Sequence, residues 1–102
     1  EEKNMARTIQ VTTGTLKNKA SELKSLNAKF KTQIENLKTQ ENALNGMWDG
    51  EANDAFHKEF IRDITQMHNF YNAIEQYVTK LNEIAASYEK AEKNSINHLA
   101  KH

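Results

Sequence analysis

Apolar residues along the first half of the chain keep a fixed interval: Ile9, Leu16, Leu23, Phe30, Leu37 and Leu44 recur every seven residues, with Ala20 and Ile34 four residues after two of them. That spacing places them on one face of a helix. Asn27 interrupts the second row, and Leu26 lies on its flank. The predicted helix runs from about Thr13 to about Asn45, roughly 50 Å at 1.5 Å per residue. Ile9-Gln10-Val11 alternates like an extended segment. Thr12 or Thr13 then supplies an N-cap, because a threonine hydroxyl accepts from an orphan backbone N–H, and Gly14 falls in the first turn.

A second series starts after Gly50. Phe60, Ile64, Met67, Tyr71, Ile74, Val78, Leu81, Ala85 and Tyr88 follow unbroken 4-3 spacing. A further row at Phe56, Phe70, Tyr77, Ile84 and Ala91 flanks it on the same side, interrupted only by Asp63. The apolar face of helix two, over residues 51–95, is therefore three positions wide. A two-position seam satisfies one partner helix, whereas a wider stripe faces two or more.

Between the helices stands Asn45-Gly46-Met47-Trp48-Asp49-Gly50-Glu51, with two of the chain's three glycines. Residues 46–50 are too short for anything but a sharp reversal, so the helices are expected to run antiparallel. Asp49 is the expected N-cap of helix two, with Glu51 near the positive end of its dipole. Gly50 suits a backbone conformation closed to other residues. The fold expected is all-α, a single two-helix hairpin domain over residues 5–102. A lone hairpin buries one side of each helix and is marginal. The expected assembly is a dimer forming a four-helix bundle, with Phe56, Phe70, Tyr77 and Ile84 in the interface.

Composition narrows the function classes. The chain has 102 residues, 37% hydrophobic and 27% charged, with neither Pro nor Cys. Without Cys there is no disulfide, no thiolate catalysis and no Cys-ligated zinc. Fourteen basic residues balance fourteen acidic ones, so no net field draws in nucleic acid or an anionic membrane. Lys outnumbers Arg twelve to two, the bias of an AT-rich bacterial genome. No stretch is long and apolar enough to span a membrane, and the first residues lack the apolar core of a signal peptide, which reads as a leaderless chain made in the cytoplasm. Met5 is a candidate start. Residues 1–4 are then candidate additions ahead of it, and the terminal Lys101-His102 is a candidate root of a purification tag.

No catalytic or cofactor site emerges. His57 and His68 lie eleven apart, about three helical turns, too far to share a metal ion. His98 and His102 have metal-pair spacing without a third ligand. There is no phosphate loop, nucleophile elbow or buried carboxylate pair that the pattern enforces. Metal and cofactor are both expected to be none, and the chain is expected not to be an enzyme. Trp48 has two readings: it fills the end of the bundle between diverging helices, or it is a recognition feature beside Gly50. Tyr88 continues the seam. Glu92 takes the next seam position, where a carboxylate reads as the end of packing.

Taken together, Trp48-x-Gly50-x-Ala52-x-x-x-Phe56 at the centre of a hundred-residue hairpin, Ile9-x-Val11-Thr12 before helix one, and Tyr88-Glu89-Lys90-Ala91-Glu92 near the end resemble the W-x-G family. These are the early-secreted-antigen-like, or Esx, proteins of Gram-positive type VII secretion. The likeness covers Ile9 to about Leu99. Two departures stand out: Thr13-Gly14-Thr15 replaces the family's Pro and acidic first turn, and Ser95 stands where the tail pattern has an apolar residue. The resemblance implies an export signal formed by Trp48, Gly50, Tyr88 and Glu92, with a membrane-embedded secretion ATPase as partner. It also implies a homodimer or a heterodimer with a related chain, secretion, and a role as virulence factor or co-secretion adaptor. The alternative is a cytosolic helical chaperone or targeting partner of a larger toxin. Membrane disruption has little support, because the bundle uses the apolar face.

Overall fold

The computed structural model describes residues 12–100, with side chains through Asn94. Two helices account for nearly all of them: α1, Thr13–Met47, and α2, Glu51–Ala100. No strand occurs among the described residues, and the chain is all-α. Helix one continues two residues beyond the expected end and takes in Gly46. A helical glycine costs about 1 kcal/mol, too little to stop a helix by itself. Helix two likewise runs past residue 95. The extended segment expected over residues 9–11 lies outside the described residues.

Thr12 is the cap of α1. Its carbonyl accepts from Leu16 N at 3.0 Å and its Oγ1 accepts from Thr15 N at 3.1 Å, so an orphan donor of the first turn is satisfied. Thr13, the other candidate, is the first helical residue and is buried.

Of the two rows expected on the face of α1, the second, with Ala20 and Ile34, is the line along which it packs. Thr13, Ala20, Asn27, Ile34 and Glu41, seven residues apart, are the buried positions of α1. Leu16, Leu23 and Phe30 are half-buried, and Leu37 and Leu44 are exposed. Apart from Ile34, this line carries small or hydrogen-bonding side chains, and the other large apolar residues of α1 stand beside it. Asn27 belongs to the line rather than breaking it.

Two compact units divide the chain. In the turn unit, Ser25–Glu75, contacts run in opposite order along the two helices, so its segments are antiparallel. Ile34 and Ile64 are its buried apolar residues. Asn27 Nδ2 donates to the Tyr71 carbonyl at 3.0 Å and to Glu75 Oε2 at 2.8 Å. Phe30 meets Phe70 edge to face at 5.8 Å, and Lys31 Nζ lies 5.3 Å from the Tyr71 ring. The other unit pairs 12–24 with 76–100 among the described residues, also antiparallel. Ala20, Val78 and Ala85 form its core. Thr13 Oγ1 donates to Glu92 Oε1 at 3.5 Å, and Lys17 Nζ pairs with Glu89 at 2.8 Å. Packing therefore does not end at Tyr88. The carboxylate of Glu92 is accommodated because α1 offers it a hydroxyl.

Candidate functional site

The turn unit builds its site from the reversal itself. Gly50 has φ 117°, in the region that costs a residue with a Cβ about 1 to 2 kcal/mol. Its carbonyl accepts from Asp54 N at 3.1 Å, which makes Gly50, not Asp49, the cap of α2. The chain can reverse this sharply only through a residue free to take positive φ, so the helix starts after it. Glu51 and Asp54 occupy the first turn and complement the helix dipole. A Cβ added at Gly50 would meet nothing within 4 Å, so strain alone opposes substitution. Gly50→Ala is accordingly expected to lower stability by about 1 kcal/mol, whereas Gly46→Ala, inside α1 and also facing open space, raises it by about 0.5 kcal/mol. Urea denaturation of the two variants at one protein concentration checks the opposite signs.

Trp48 is half-buried, its ring 5.8 Å from that of Phe56, which in turn stacks on Phe60 at 6.2 Å. This aromatic run borders a shallow groove lined by Leu37, Gln40, Glu41, Leu44, Phe56 and Phe60. Trp48 is thus both a packed residue and partly open to a partner.

Glu41 is the residue that sequence reasoning missed. It is buried, with only 4% of its side chain exposed, and its Oε2 lies 2.6 Å from His57 Nδ1. His57, weighed only as a metal ligand, is its cross-helix partner. One turn nearer the reversal, Asn53 Nδ2 donates to Asn45 Oδ1 at 2.7 Å. The signal for Glu41 was its place seven residues after Ile34 in the buried row.

The tail residues of the expected signal belong to the other unit. Tyr88 is 44% exposed, and Glu92 is exposed while holding its contact with Thr13. Of the expected interface row, Phe56 and Phe70 lie in the turn unit and Tyr77 and Ile84 in the other, and all four are exposed, Phe70 and Tyr77 by 57% and 60%. Among the described residues no group of three or more His, Asp or Glu could hold a metal ion, and no helix is long and apolar enough to cross a membrane. The side chains of His98 and His102 lie outside the described residues.

Two long helices reversing through Trp48-Asp49-Gly50, with no strand among the described residues, define the class: small helical-hairpin proteins with a W-x-G turn. The family model WXG100, "Proteins of 100 residues with WXG", matches residues 8–93, and the chain belongs to that family. Among solved structures, the crystal structure of the secreted protein ESXB from Bacillus anthracis str. Sterne is similar, with 28% identity and a TM-score of 0.71 over 78% of this chain and 85% of that one. No curated protein matches the chain.

Proposed function

We propose that this chain is a substrate of a type VII, Esx-like secretion system, without enzymatic activity of its own. The observation that carries the reading is the Trp48-x-Gly50 reversal: a glycine at φ 117° beside a half-buried Trp, in a chain whose family and whose secreted structural relative are both of this kind. The working form is a homodimer, a four-helix bundle in which Phe56, Phe70, Tyr77 and Ile84 are covered by the second copy. Their exposure in the single chain supports this, since an apolar face of that extent is uncommon on a monomer. In the dimer, Trp48 and Gly50 of one subunit stand beside Tyr88 and Glu92 of the partner subunit, so folding and pairing assemble one composite signal. That signal docks the membrane-embedded secretion ATPase, with Trp48 as aromatic anchor and Glu92 supplying charge. A role as virulence factor or co-secretion adaptor follows export.

Export is the test. The chain is expressed in a host with a working type VII system, and supernatant is compared with cells for wild type, Trp48→Ala and Glu92→Ala, with the mass of each purified variant measured by sedimentation. Wild type outside and both folded, dimeric variants retained is the expected outcome. Wild type retained although dimeric refutes the reading and favours a cytosolic partner of a larger toxin. Phe70→Asp is expected to leave the helices intact and shift the sedimenting species to the monomer, because an aspartate buried between subunits has no cation to pair with.

A further inference from the structure

Two carboxylates, Glu89 and Glu92, stand three residues apart on α2, and both meet the first turns of α1. Their surroundings differ. Both oxygens of Glu89 are taken: Oε2 lies 2.8 Å from Lys17 Nζ and Oε1 lies 3.6 Å from Lys93 Nζ. The hydrogen bond from Lys17, its charge and that of Lys93 hold the Glu89 carboxyl below its ordinary value. Glu92 makes no ion pair among the described residues and takes one long hydrogen bond, 3.5 Å, from Thr13 Oγ1. Thr13 is buried and follows the Thr12 cap, so its backbone is held by the start of α1 and its side chain has little room to turn away. One carboxylate is neutralised by lysines. The other is met by a hydroxyl instead.

We propose that Thr13 and Lys17 are positioning and specificity-determining residues for recognition of the tail: Thr13 aims the Glu92 carboxylate, and Lys17 withdraws Glu89 from competition. A cationic site on the recognising protein then meets one carboxylate beside the exposed Tyr88, on a chain whose α1 has docked against α2. This rests on the reading of Tyr88 and Glu92 as an export signal. It adds that the signal includes the first turns of the opposite helix.

The test has a spectroscopic arm and an export arm on the full chain. In carbon-13 spectra of the carboxyl groups, Thr13→Val is expected to move the Glu92 resonance, Thr13→Ser to leave it near wild type, and Lys17→Met to move that of Glu89. In the secretion host, Thr13→Val is expected to lower the exported fraction roughly fivefold, the size of one lost hydrogen bond, and Thr13→Ser to restore it. Lys17→Met lowers export to a similar degree, and Glu89→Gln in the same chain rescues it. Melting temperatures are measured for every variant.

Thr13→Ser exporting as poorly as Thr13→Val assigns the effect to packing and overturns the proposal. An unmoved Glu92 resonance in Thr13→Val does the same, as does a Lys17→Met defect that Glu89→Gln fails to rescue. Glu92→Gln exported like wild type is a different failure, since it removes the export-signal reading itself.

Discussion

Ile34→Ala is expected to lower stability by about 3 kcal/mol, with Ile34→Val costing about 1 kcal/mol. Ile34 is the largest side chain with no exposed surface among the described residues, and it lies in the turn unit on the buried line of α1. Removing its outer atoms loses their transfer free energy and leaves a cavity that two stiff helices close only in part. For a domain of this size the loss corresponds to a fall in melting temperature on the order of 15 °C. Circular-dichroism melts at one protein concentration, with Leu37→Ala as comparison, check it. Leu37 is 44% exposed, so its truncation costs the isolated hairpin much less and acts instead on self-association. Equal losses at both positions would place the core on the leucine row.

That comparison also shows what periodicity can and cannot read. The two helices, the reversal between them and the need for Gly at position 50 are written in local rules: sevenfold apolar spacing, a run too short to hold structure, and a residue free at positive φ. The contact line was legible only in part. Periodicity registers apolarity, so it places Ala20 and Ile34 on the face with Leu16, Leu23, Phe30, Leu37 and Leu44 and passes over Asn27 and Glu41. Burial of an asparagine or a glutamate depends on what the opposite helix offers, here the Tyr71 carbonyl, Glu75 and His57. Glu92 follows the same logic, since Thr13 turns an apparent end of packing into a polar contact. The W-x-G turn was legible as a motif. The environment of its tail carboxylates was not, because Lys17 and Thr13 lie more than seventy residues away in sequence.

His57→Ala is expected to destabilise the turn unit by about 2 kcal/mol, more than any other substitution at a partly exposed position, because it strands a buried carboxylate. His57 is 39% exposed, so its own packing contributes little and a truncation there would ordinarily cost a few tenths of a kcal/mol. Glu41 decides the outcome. With Oε2 deprived of its contact at 2.6 Å and 4% of the side chain open to water, the carboxyl oxygen must find solvent by opening the helices next to the reversal. Glu41→Gln keeps an acceptor for the imidazole and removes the charge, so it is expected to cost less than His57→Ala. Replacing both residues by Leu is expected to recover most of the loss, because it removes the buried polar group together with its partner. Urea denaturation of the three variants beside wild type forms the test, and hydrogen exchange locates the effect. Amides of 41–47 and 51–57 should lose protection in His57→Ala while those around Val78 keep it. A His57→Ala variant as stable as wild type would mean that Glu41 reaches water without its partner, and the pair would then hold nothing at the turn.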